Sequence, residues 1–326
     1  MHAPNFMFPG APEVTNMDGQ VKFSEQGLLA MNVKGNALGG PLTLTGAPGK
    51  EGKGIRIRAS GNASVASMFQ WAGLTPMDQL RGHTDWRADV WTNNAGMNFV
   101  IQSSLVGLTA DFPAPLHKSA QTCVPLKVER YAIASNETQR QGSVPEKTIN
   151  EAKTSVATAV VPAVNSKLAP ASARFQVTLG NTIQALWFQG EDGNILRGKA
   201  YFGFDSDGLM ARSKMPDYGL RIGGNINEID INAWLPVIDK LMPTSPVVQS
   251  SKVQAPTNVR SLPIALNVNV KQITAFNLKF SNLLFRTNLE DDSFRLKVQS
   301  DDMAGELMWR SGGRGTLVAK LKRFWL

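Results

Sequence analysis

The residues able to do chemistry are few and scattered. His2, His83 and His117 are the only histidines among 326 residues. None stands at a metal-ligand spacing from another or from Cys123. Cys123 is the only cysteine, which excludes an internal disulfide and any thiolate metal cluster. His117, within Pro113-Ala114-Pro115-Leu116-His117-Lys118, is the one candidate base, and its prolines make it an exposed turn residue. Ser103-Ser104 lacks the Gly-x-Ser-x-Gly elbow of a nucleophile. Asp301 and Asp302, after Ser300, are consecutive, so on a continuing strand they face opposite ways and cannot share a substrate. Glu290-Asp291-Asp292 reads as a hairpin tip. The glycines of 35–40 and 219–224 do not reproduce a phosphate-binding loop and supply bends instead. No catalytic residue, metal site or cofactor is expected.

The elements that would position such residues are strands. Leu262, Ile264, Leu266, Val268 and Val270 alternate with Pro263, Ala265, Asn267, Asn269 and Lys271, giving one apolar and one polar face. Phe276-Leu278-Phe280, Phe294-Leu296-Val298 and Leu317-Ala319-Leu321 repeat the pattern. So do Met31-Val33, Leu42-Leu44, Ile55-Ile57, Phe99-Ile101, Phe175-Val177-Leu179 and Phe202-Phe204. Turn residues such as Asn94-Ala95-Gly96, Asp192-Gly193-Asn194, Asp205-Ser206-Asp207-Gly208 and Gly312-Gly313 separate the runs at intervals that suit hairpins better than βαβ crossovers.

Two short helices are predicted, from Ser64 to Trp71 and from an N-cap at Asn232 to Met242. Residues 134–173, rich in Ala, Ser, Thr, Gln and Pro, read as a flexible linker or insertion, and 243–261 resembles it in composition. The expected organisation is a first β module over 1–133, the linker, and a second β module over 174–326. An internal repeat supports the division: Arg58, Gly61, Asn62 and Trp71 recur at the same spacings as Arg221, Gly224, Asn225 and Trp234. A second echo relates 33–42 to 298–307.

A formal charge of +8 and a pI near 9.6 permit loose attraction to anionic surfaces. The basic residues are dispersed, however, and no nucleic-acid-reading pattern is present, so no nucleic-acid partner is expected. No stretch approaches the roughly 20 apolar residues of a membrane-spanning helix, and the first residues do not form a secretion signal. Alternation alone fits a closed β-sandwich as well as an open apolar groove.

One stretch is more specific. A strand leads into Ser-x-Leu-x-Gly-Leu (Ser103 to Leu108), then Pro-x-Pro-Leu-x-Lys (Pro113 to Lys118), then Pro-Leu-x-Val (Pro125 to Val128). These motifs resemble those of the YhdP-type proteins, members of the AsmA-like group of Gram-negative envelope proteins that also includes TamB. Gly82, Trp86, the segment from Gly219 to Ile238 and that from Met303 to Leu326 resemble the same family's C-terminal portion.

The resemblance implies a mainly β fold: an elongated, curled antiparallel sheet forming an open groove, with two short helices. It implies a periplasmic segment of a lipid-transfer protein that shelters phospholipid acyl chains between inner and outer membranes. It further implies an upstream inner-membrane anchor absent from this chain, and outer-membrane components as further partners. The groove candidates are Ile55, Ile57, Phe99, Ile101, Ile264, Leu266, Val268, Val270, Phe276, Leu278, Phe280, Leu296, Val298, Leu317 and Leu321. The alternatives are a structural or assembly factor of the outer membrane and a carbohydrate-active β-sandwich, for which no carboxylate pair can be nominated.

Overall fold

Alternation dictates strands, and in the computed structural model it yields a single long ladder. The structure describes residues 11–25, 27–49, 54–134, 170–241, 263–276, 278–287, 294–300, 303–310 and 316–324. The first part of the chain forms β1 (Thr15–Ser24), β2 (Gly27–Ala37), β3 (Gly40–Pro48), β4 (Ile55–Ser64), α1 (Val65–Trp71), β5 (Leu80–Asn93), β6 (Gly96–Ser103), β7 (Leu108–Ala110) and β8 (Leu126–Ala132). The second part forms β9 (Ala171–Leu179), β10 (Ile183–Gly190), β11 (Ile195–Gly203), α2 (Ser206–Arg212), β12 (Gly219–Asp230) and α3 (Ile231–Leu241). It ends with β13 (Ile264–Ala275), β14 (Leu278–Arg286), β15 (Phe294–Gln299), β16 (Met303–Arg310) and β17 (Thr316–Phe324).

Each strand pairs with the next in chain order from β1 to β6, then β6 with β8, and again in order from β8 to β17. Short β7 lies beside the start of β5. Among the described residues β1 and β17 do not pair with each other, so the sheet is open. Residues 135–169, the bulk of the predicted linker, lie outside the described residues, as do 242–262. Strands β8 and β9, which flank the former, pair directly from Leu126↔Leu179 to Ala132↔Ala173.

Two links depart from the expected hairpins. β11 with β12 and β12 with β13 are parallel, because α2 and α3 carry the chain back as crossovers. Helix α2 begins at Ser206, inside the segment read as a turn, with Asp205 at its N-cap. Turn and N-cap chemistry use the same residue types, which is why a seven-residue helix was missed. The other two helices match their predicted spans closely. Ser64 Oγ accepts from Ser67 N at 3.1 Å at the start of α1. At the start of α3, Asp230 rather than Asn232 provides the cap, accepting from Asn232 N at 2.9 Å.

All three helices and the long loop 104–125 lie at one margin of the sheet. There, Trp234 of α3 stacks on Phe112, just past β7, with ring centroids 6.2 Å apart. β7 continues the lane of β6 beside β5, so on a flat sheet it would stand five spacings of about 4.8 Å, about 24 Å, from β12. The rings lie only two and four residues beyond β7 and β12, and a curl of the sheet brings them together.

Ile226, Val270 and Leu283 are neighbours across β12, β13 and β14, and so are Ile229, Ile273 and Phe280. The apolar step is thus three residues instead of two at one level of three adjacent strands, and Asn282 there has φ 54°. These apolar residues share one packed cluster with Val268, Val298, Leu266 and Leu296.

Candidate functional site

In a strand ladder, directly paired residues point to the same face. Val33, Leu44, Ala59, Ala88, Ile101, Val128, Val177, Ala185, Ala200, Ile222 and Leu266 are successive partners from β2 to β13. Every one is apolar. Ten spacings make this an unbroken apolar band about 48 Å across the strands. Apart from buried Val33, the residues of this band are half-buried. In a β-sandwich a second sheet would bury such a row completely; among the described residues no second sheet covers it.

The opposite face runs Lys34, Thr43, Ser60, Arg87, Gln102, Lys127, Thr178 and Gln184 from β2 to β10. Arg56 Nε donates to Asp89 Oδ1 at 2.9 Å on this face, and that hydrogen bond holds the Asp89 carboxyl below the ordinary carboxylate range. A hollow of about 1160 Å³ lies over it, lined by residues including Thr43, Ser60, Asp85, Gln102, Lys127 and Cys123. In its lining, Asp85 accepts from Asn62 Nδ2 at 2.8 Å.

Of the predicted groove residues, Ile55, Ile57, Phe99, Ile101, Ile264, Leu266, Val268 and Val270 share the face of the band by register, whereas Phe280 and Leu278 pair with Ile273 and Ala275, an odd number of residues from Leu266. Ile57 and Phe99 lie in the row beside the band, with Ile55 two residues along β4. Ile101 and Leu266 are in the band itself, and Ile264 sits next to Leu266. Val268, Val270, Phe280, Leu296 and Val298 join the packed cluster around β13. Leu278 is 41% exposed at the start of β14. Phe276 falls in the β13–β14 turn at φ 49° and is 75% exposed. Leu317 and Leu321 lie on β17, paired through the backbone with Trp309 and Gly305.

The groove candidates leave out Val33, Leu44, Phe175 and Val177, which the alternation marks, together with Val128, Ile222 and Trp187, and Ala59, Ala88, Ala185 and Ala200, whose side chains are too small to stand out in an alternation. Phe175 and Trp187, register partners, stack at 5.1 Å with 3° between rings.

Residues 5–326 match the family described as YhdP protein. The chain belongs to the YhdP family. No curated protein and no solved structure matches it. The YhdP family is an envelope family, and among the described residues no helix is long and apolar enough to cross a membrane.

The motifs that resemble the YhdP family serve structure. Ser103 Oγ donates to Asp85 O at 2.8 Å and accepts from Leu105 N at 3.0 Å, where Leu105 turns the chain at φ 52°. Lys118 is buried, and its Nζ donates to Leu108 O at 2.6 Å and Ser119 O at 2.9 Å. Burial lowers its pKa. His117 beside it is exposed. Among the described residues no three His, Cys, Asp or Glu cluster as metal ligands. His2 and the acidic segments 290–292 and 301–302 lie outside the described residues.

Proposed function

We propose that this chain is a segment of a periplasmic lipid conduit, whose apolar face shelters the acyl chains of phospholipids in passage between inner and outer membranes. The carrying observation is the unbroken apolar band from Val33 to Leu266 on an open, curled sheet. Burial of an acyl chain on such a face is worth about 0.8 kcal/mol per CH₂. Aliphatic contacts are non-directional, so a chain can slide from strand to strand with no directional bond to break. Membership of an envelope family supports the compartment. An inner-membrane anchor supplied from upstream and contacts with outer-membrane components belong to the same proposal.

The test is to purify the protein gently and record native mass spectra, then to strip it and offer fluorescent phospholipid. Co-purifying phospholipid and saturable uptake are expected. Stripped, folded protein that takes up none would overturn the proposal. Photo-crosslinkers on the apolar face capturing protein in place of lipid would favour an assembly role instead.

A further inference from the structure

The row next to the apolar band contains one anomaly. Across it, Ile57, Val90, Phe99, Arg130, Phe175, Trp187, Gly198, Leu220 and Ile264 are successive partners. Arg130 is the only charged side chain in this row. The rows on either side of it carry none between β2 and β13.

Placing a guanidinium on an apolar face costs free energy unless its donors are met. The surroundings meet them only in part. Arg130 Nη1 donates to the carbonyl of Met97, and the guanidinium lies over the Phe175 ring at 5.7 Å. That ring is in turn stacked on Trp187. Among the described residues no carboxylate pairs with Arg130. A guanidinium offers five donors in a fixed planar fork, so most remain for a ligand.

Its position in the sheet is equally specific. Arg130 is two residues from the end of β8, at the margin opposite the three helices. Inward from it on the same strand come Val128, in the apolar band, and Leu126. A cation at the rim with apolar surface leading inward is complementary to an amphiphile whose anionic group stays near water while its chains lie on the face.

We propose that Arg130 binds the phosphodiester of a two-chain phospholipid seated on this face; the inference rests on the conduit reading above. A phosphodiester is chosen over a carboxylate on physical grounds. A phosphodiester, far more acidic, stays ionised and keeps its two equivalent oxygens for the fork. A fatty carboxylate also stays ionised beside a guanidinium, but it brings one chain to the apolar face where a phospholipid brings two, with twice the apolar surface to bury.

The experiment compares wild-type full chain with Arg130→Met and Arg130→Lys, each stripped of lipid. Each is offered phosphatidylglycerol, oleic acid and diacylglycerol at neutral pH in competition. Wild type is expected to favour phosphatidylglycerol over diacylglycerol by about tenfold to a hundredfold, the worth of charge-assisted hydrogen bonds. Arg130→Met should lose that preference while its diacylglycerol uptake, which also reports folding, is unchanged. Arg130→Lys should keep part of it, having the charge without the fork. Preference persisting in Arg130→Met overturns the assignment and leaves the conduit standing. Oleic acid outcompeting phosphatidylglycerol overturns the phosphodiester. If wild type takes up none of the three lipids, the conduit reading falls and this inference with it.

Discussion

Gly203 on β11 and Asn225 on β12 are register partners, and the Asn225 carbonyl oxygen stands 1.7 Å from where a Cβ on residue 203 would lie. The first repeat has the same device, since a Cβ on Gly40 would lie 2.2 Å from the Asn62 carbonyl oxygen. The glycines before these asparagines are also crowded: Gly61 by Pro41 O at 2.5 Å and Gly224 by Phe202 O at 2.4 Å. The Gly-Asn pair shared by the two repeats thus marks where a strand presses against its neighbour before entering a helix.

Gly203→Ala should therefore be far costlier than Gly73→Ala. Both sites have positive φ, 81° and 66°, which costs an alanine about 1–2 kcal/mol. Only Gly203 adds the clash, for nothing lies within 4 Å of a Cβ on Gly73. Denaturant titration should place Gly203→Ala at least about 2 kcal/mol below Gly73→Ala.

Trp234 Nε1 donates to Ala114 O at 2.9 Å, across 120 residues of sequence. Trp234→Phe keeps the stack on Phe112 and loses the hydrogen bond, for an expected cost of about 1 kcal/mol. Trp234→Ala loses both and should cost about 3 kcal/mol. Because this contact closes the curl, Trp234→Ala should also expose the helix-bearing margin to hydrogen exchange, read by mass spectrometry.

A charge in the middle of the apolar band should block it. Ala88→Glu places a carboxylate between Ala59 and Ile101, where an acyl chain would have to cross it. Lipid uptake should fall at least about tenfold. The control Gln102→Glu puts the same charge one residue away on the polar face, and uptake should be unchanged.

Lys118 carries a pH signature. Its folded pKa is lowered by burial, so between that value and the ordinary lysine value near 10.5 the unfolded chain holds the extra proton. Stability from this group therefore rises with pH across that window and is lowest, with the buried ammonium charged, below it. Subtracting the pH–stability profile of Lys118→Met from that of wild type should leave this rise. A difference that is flat up to pH 10.5 would contradict the assignment.

Alternation in the sequence marked most of the strands with their apolar and polar sides, and capping residues marked two of the three helices, because both signals are written in neighbouring residues. The sequence also marked the Gly-Asn repeat, since only glycine tolerates such close carbonyls. Tertiary structure alone decided that two links are parallel, that the rows join into one band, and that the sheet curls until Trp234 meets Phe112. Those facts depend on register between strands, which chain order does not encode. Arg130 shows the difference most sharply: in sequence it is one basic residue among 34 Lys and Arg. Only the pairing of β6, β8 and β9 sets it between Phe99 and Phe175 on an otherwise uncharged row, where a charge needs a counterpart.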